Sequence, residues 1–234
     1  LALNECAKNN HLPRCNDKLF ALTHLADKNN AALLLDIASI LIKQGNDSEA
    51  LAAIEKASKS NSFSNYHYDF ILRSQNIISN NSSLSFSQSL VISIGLAAAM
   101  PYSFSDVFKF CKNYDDGNFV LSDTCWKVGV LMEKQSDTII SQALGSALQE
   151  NHFKQTNNHE AIENLKKRRK EFEIKYRNAL VFKGSELMFF DEELSLLWLK
   201  SGINFGEKIA FETVVKEVHL LLENPDYNPC RNPL

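Results

Sequence analysis

The five cysteines are the residues of this chain best spaced for chemistry. Cys6 and Cys15 lie nine positions apart around His11-Leu12-Pro13, and Cys111 and Cys125 lie fourteen apart around the turn-forming run Asp115-Asp116-Gly117-Asn118. In each case two thiols flank one hairpin-like connection, so each pair is a candidate disulfide that would clamp neighbouring segments, worth about 3 kcal/mol on the chain-entropy argument. The alternative is reduced, buried thiols, which pack as small apolar side chains. Cys230 is left over, as a free thiol or as the mate of a third party. Bridged pairs imply an oxidising compartment, the periplasm or the exterior, whereas reduced ones are compatible with the cytoplasm. No C-x-x-C spacing is present, so neither a zinc ribbon nor a dithiol redox pair is supported.

The remaining polar candidates each have a plainer reading. Lys166-Lys167-Arg168-Arg169-Lys170 is a basic run, but acids interleave with it at helical spacing, Glu163 with Lys167 and Glu171 with Lys167 and Lys175. That pattern describes a solvated, salt-bridged helix face, and a nucleic-acid partner is not expected. His152, His159 and Glu163 are available ligands, yet the H-E-x-x-H spacing that puts two imidazoles on one helix face is missing, so no metal or other cofactor is expected. Asp115-Asp116-Gly117 fails as a calcium loop: the first two ligand positions would be Lys112 and Tyr114, and the twelfth Asp123 in place of a bidentate Glu. A Gly-rich phosphate loop and a G-x-S-x-G elbow are both absent.

Composition bounds the rest. With 234 residues, 44% of them hydrophobic, the chain can bury a substantial core. Twenty-five Lys+Arg against 28 Asp+Glu leave no positive field to attract a polyanion. No stretch reaches the roughly 18 to 20 consecutive apolar residues that span a bilayer; Leu90 to Met100 is the nearest, reads as a buried helix, and no transmembrane segment is expected. The first residue is Leu1 and not Met, as after loss of a leader, a tag or a cut.

Nearly every periodic segment has the helical period, so the expected fold is all-α: antiparallel hairpins stacked as a superhelix or an irregular bundle. Leu34, Ile37, Ala38 and Leu41 share one face; Gly45-Asn46-Asp47 breaks that helix, and the next buries Ala50, Leu51, Ile54 and Ala57. Further helices are expected over 68–78, 87–100, a short one capped by Ser105, 119–134, and 137–150 behind a Ser136 cap. The longest should run from about 156 to 181 on a stripe of Ile162, Leu165, Phe172, Tyr176 and Ala179, followed by 186–200, a break at Gly202–Gly206, and 208–223. Aromatic residues such as Tyr66, Tyr68, Phe189, Phe190 and Trp198 are read as core. The chain is expected to form one helical domain over 1–234, with possible sub-units 1–152 and 153–223 and an irregular tail from 224 to 234 that holds three of the five prolines.

Residues 31–62 resemble a tetratricopeptide repeat, a helix–turn–helix of 34 residues. Leu34, Ile37, Ala38 and Leu41 fill the first-helix positions, Ala50, Ile54 and Ala57 the second, and Gly45 the turn. Aliphatic residues stand where the usual Trp, Tyr and Phe would, and Ser62 replaces the terminal Pro. One repeat further on, Leu72 and Leu84 are too large for the small positions and Gln75 is polar where a large apolar residue belongs, so the array does not continue. The run Gly95-Leu96-Ala97-Ala98-Ala99 followed by Cys111 and Cys125 loosely resembles helical envelope proteins of proteobacteria, a resemblance that implies no chemistry.

What such a hairpin implies is contact with a protein or peptide, with no covalent chemistry. Leu35, Ser39, Ile42 and Lys43 lie off the core stripe of the first hairpin and are the candidate lining of a partner groove. The expected role is therefore an adaptor, assembly factor or scaffold. An enzyme with a site assembled in a helical cleft, and a secreted effector or module holding an apolar ligand, are the alternatives.

Overall fold

The computed structural model describes residues 6, 15, 17–100, 104–113, 119–176 and 186–228. Eleven helices account for most of them, and no strand occurs among the described residues beyond two isolated bridges, Asn30 with Ser62 and Phe63 with Ser136. The helices are α1 (Asp17–Ala26), α2 (Ala31–Lys43), α3 (Asp47–Ser58), α4 (His67–Asn81), α5 (Phe86–Ala98), α6 (Phe104–Asn113), α7 (Phe119–Gln135), α8 (Ile139–Gln155), α9 (His159–Tyr176), α10 (Glu192–Phe205) and α11 (Glu207–Glu223). The all-α expectation holds. Among the described residues, no helix is long and apolar enough to cross a membrane.

The chain divides into two compact units, each made of two separated stretches: 1–65 with 100–166, and 66–99 with 167–234. The sub-units expected from the sequence were contiguous, because periodicity along a chain carries no sign of which distant helices pair.

In the first unit α2 and α3 form an antiparallel hairpin, closed by Gly45 at φ 76°, a conformation that costs glycine nothing. Ala38, Ala50, Ile54 and Ala57 are fully buried, with Ala53 beside them, while Leu51 is only half-buried. Small side chains at these positions let the two axes approach. The hairpin α7/α8 approaches more closely still. A Cβ on Gly145 would stand 2.6 Å from the Gly129 carbonyl oxygen, and one on Gly129 equally close to that of Gly145. Glycine is needed at both positions for space, since neither has a positive φ. Gln149 ties the crossing together, its Nε2 donating to Gly129 O at 3.3 Å and to Glu133 Oε2 at 2.5 Å.

A buried polar knot joins these hairpins. Asn30, fully buried, caps α2 by accepting from the Ala32 N–H at 3.1 Å, and its amide also pairs with both backbone groups of Ser64. The Asp137 carboxylate accepts from the Ser64 hydroxyl at 2.7 Å and the Asn65 N–H at 3.1 Å, and the Asn65 amide donates to Ser141 Oγ. Segment 62–65 is thus held at both ends by side chains that would cost several kcal/mol if buried unpaired. Two helix starts differ from expectation. Thr138, not Ser136, caps α8 through the Ser141 N–H, and α6 begins at Phe104, which leaves Ser105 inside its first turn.

The second unit packs α4 against α5 and α10, with α11 folded back on α10. Its centre is Tyr68, buried, edge-on to Trp198 at 5.1 Å and pressed on Gly202, whose added Cβ would fall 2.2 Å from the tyrosine ring. Gly202 therefore does not break a helix; α10 runs through it to Phe205, and Gly206 at φ 80° makes the turn. Asp191 caps α10 through the Leu194 N–H and accepts from the Tyr227 hydroxyl at 2.8 Å, which pins the residues after α11. Tyr66 and Phe190 are exposed and are not core.

The all-round burial expected of α5 is not found. Leu90 and Ala97 are buried together with Ser89 and Ser93, whose hydroxyls donate to the backbone carbonyls of Ser85 and Ser89, and Val91, Ile92 and Leu96 face outward. Gly95 has open space around it and is not a point of close approach. A helix without charge reads as buried, yet α5 is covered on one face only. The long helix begins at His159, three residues later than expected, and is described to Tyr176, its expected end lying outside the described residues; Ile162 and Leu165 are buried and Phe172 half-buried. Ala179, Gly184 and Ser185 lie outside the described residues.

Candidate functional site

Helix α7 carries two apolar stripes. Leu121, Cys125, Val128 and Met132 recur at i, i+4, i+7 and i+11 and are all buried in the core. Trp126, Val130 and Lys134, with Lys127, Leu131 and Gln135 alongside, form a second stripe at four-residue spacing on another face. With Ser58 at the end of α3, this stripe lines an open groove of about 250 Å³. Trp126, Val130 and Leu131 are half-buried, Leu131 packing against the core, while Lys127, Lys134 and Gln135 are exposed.

The groove floor is braced from behind. Trp126 stacks on His152 of α8, ring centroids 5.6 Å apart and planes 27° from parallel, and His152 stands edge-on to Phe153 at 5.8 Å. Ser122 Oγ lies 2.9 Å from His152 Nδ1 and donates to Gln155 Oε1 at 2.5 Å. A serine hydroxyl has one proton, so with that proton on Gln155 it accepts from Nδ1. The arrangement orients the imidazole beneath Trp126. Burial pushes His152 below the usual histidine range, partly offset by the Asp123 carboxylate and the Ser122 backbone. The indole N–H of Trp126 is buried without an acceptor.

The lining contains two cations and no acid. Lys127 Nζ lies 2.7 Å from Asp123 Oδ2, but both side chains are about half exposed, so the pair is weak and exchangeable. Lys134 is exposed and makes no ion pair among the described residues.

The lining expected from the sequence lies elsewhere and is corrected. Leu35 and Ser39 are buried, at 1% and 0% exposure. Leu35 faces an apolar crevice of about 10 Å³ between α2, α6, α7 and α8, far too small for a partner's side chain. Ser39 donates to Asp106 Oδ2 of α6 at 2.9 Å, and Lys43 reaches the same oxygen at 3.3 Å. Ile42 is half-buried against the core. Helix α6 occupies the face that these four residues were to offer a partner. An i, i+4, i+7 stripe of Leu35, Ser39 and Ile42 signals a second neighbour, and the chain itself supplies it.

Both cysteine pairs are bridged, Cys6 to Cys15 with Cα atoms 5.4 Å apart and Cys111 to Cys125 with Cα atoms 6.0 Å apart. The second bridge ties α6 to α7 directly behind the groove-bearing helix. Cys230 and the run Asp115-Asp116-Gly117 lie outside the described residues. Among the described residues no group of three or more His, Cys, Asp and Glu is placed to hold a metal. Glu163 pairs with Lys166 at 2.7 Å, not with Lys167, on an exposed turn that it shares with His159.

The stripe of Trp126 to Gln135 was legible by one signal: beside the core stripe of Leu121, Cys125, Val128 and Met132, the same helix repeats Trp126, Val130 and Lys134 at four-residue spacing on another face. No protein-family model, curated protein or solved structure matches this chain.

Proposed function

We propose that the protein is a non-catalytic binding protein, an adaptor or scaffold that captures a segment of a partner protein in the groove between α3 and α7. The observation that carries this reading is the outward stripe of α7, an aromatic and aliphatic floor held rigid by the His152 stack and rimmed by polar side chains. Preorganised apolar floors of this kind lose little entropy on binding and act as anchors for one or two side chains. The hairpin packing at Ala38 and Ala50 supports kinship with tetratricopeptide-like hairpins, which work by contact. The two disulfides support an oxidising workplace, the periplasm or the cell exterior.

A displayed library of random ten-residue peptides, selected on the disulfide-intact protein, tests the proposal. Recovered binders should lose at least tenfold in affinity for Val130→Trp, which fills the groove, and for Trp126→Ala, with helical circular dichroism unchanged. Binders indifferent to both substitutions, or no binders at all, refute it.

A further inference from the structure

Size and charge say what kind of segment the groove takes. At about 250 Å³ it falls below the roughly 300–1,000 Å³ of pockets that bury a whole small ligand. It is also open on one side, the shape of a receptor for one protruding side chain. Trp126, Val130 and Leu131 offer that side chain an apolar bed, and Ser58 and Gln135 complete the rim. Both charged residues of the lining are lysines. They stand seven residues apart on one helix, about 10.5 Å along its axis at 1.5 Å per residue. A peptide in the polyproline II conformation covers about 9.3 Å in three residues, at roughly 3.1 Å each, and with three residues per turn it brings its first and fourth side chains back to one face.

Resting on the proposed capture of a protein segment, we infer that the occupant is an acidic peptide: two carboxylate side chains about three residues apart, with one aromatic or branched residue between them seated against Trp126. Lys134 makes no ion pair among the described residues and supplies the stronger contact. Lys127 must give up its exposed pairing with Asp123, a loss that the incoming carboxylate replaces. The chain as a whole is acidic, at −3, so attraction of an acidic segment is local to this groove and not a general property of the surface.

The test uses fluorescein-labelled ten-residue peptides with Ser-Gly flanks around four cores, Glu-Phe-Ser-Glu, Gln-Phe-Ser-Gln, Lys-Phe-Ser-Lys and Glu-Gly-Ser-Glu, titrated with the intact protein by fluorescence anisotropy. The first core should bind roughly tenfold tighter than the second at low salt, and the gap should close to about threefold or less in 0.5 M NaCl. The third and fourth cores should bind weakest. Lys134→Glu should abolish the preference for the first core over the second, Lys127→Glu should reduce it less, and the double variant should favour the Lys-Phe-Ser-Lys core. Equal binding of the first three cores overturns the acidic preference and leaves capture itself standing. Equal binding of the first and fourth overturns the anchor. Failure of every core to bind overturns both this inference and the reading on which it rests.

Discussion

Gly145→Ala is the sharpest stability test of the α7/α8 crossing, because two opposing effects of known size meet at one position. In an open helix the change is favourable: alanine has the better helix propensity by about 1 kcal/mol. At Gly145 the new Cβ would lie 2.6 Å from Gly129 O, 2.6 Å from Met132 Cβ and 2.8 Å from Glu133 N. Two of those three atoms are backbone of the facing helix, so no side-chain rotation relieves the clash. Ordinary contact begins near 3.4 Å, so the helix axes must part by roughly 0.8 Å, a gap that forfeits a quarter to a half of each dispersion contact along the seam. Overpacking of this kind costs about 2–3 kcal/mol, and after the propensity gain a net loss of about 1–2 kcal/mol remains. Gly95→Ala is the internal control, since nothing lies within 4 Å of its added Cβ; it should stabilise by about 0.5–1 kcal/mol. Urea unfolding followed by circular dichroism measures both. Gly145→Ala as stable as the parent, at unchanged denaturant slope, would show that the helices do not cross where described.

Three further outcomes follow from the same packing. Reducing both bridges, or replacing Cys111 and Cys125 by Ser, should cost about 3 kcal/mol for the second bridge, and thiol titration of the denatured, unreduced protein should find at most one reactive group among five cysteines; five reactive thiols would remove the bridges. His152 titrates below its ordinary value when folded, so the unfolded chain takes up its proton first: its contribution is complete above about pH 6.5 and is lost as acidification proceeds to the folded value. His152→Gln should flatten that acid limb, and an unchanged limb would show that the ring is not buried beneath Trp126. On α5, Leu90→Ala should cost about 2–5 kcal/mol and Leu96→Ala less than about 0.5 kcal/mol, because Leu90 is buried and Leu96 is 48% exposed; equal costs would mean that α5 is covered on both faces.

Helix identity was readable from periodicity, because each helix must present a stripe to something. What covers each stripe was not. The second stripes of α2 and α7 look alike in the sequence, yet α6 covers Leu35 and Ser39 while Trp126 and Val130 line an open groove. Ser39 misled because a hydroxyl counts as polar along the chain, whereas in the fold its bond to Asp106 makes burial cheap. On α5, read as buried all round, the covered face is the one with Ser89 and Ser93, whose hydroxyls are satisfied by backbone carbonyls, and the outward face carries Val91, Ile92 and Leu96. Glycine roles were not legible either: Gly95 has open space around it, while Gly129 and Gly145, inside expected helices, and Gly202, read as a break, are where backbones and an aromatic ring touch. The cysteine spacing was informative because a bridge needs only two thiols on either side of one short connection.

The claim at the centre of this account is that partners meet the chain on the outward face of α7. Backbone amide chemical shifts of the isotope-labelled protein, followed as the peptide with the Glu-Phe-Ser-Glu core is added, address it directly. The account predicts changes concentrated at Ser58 and across residues 126–135, with the Trp126 indole N–H and His152 ring moving with them. Changes centred on residues 35–43, or spread evenly over both units, would contradict it.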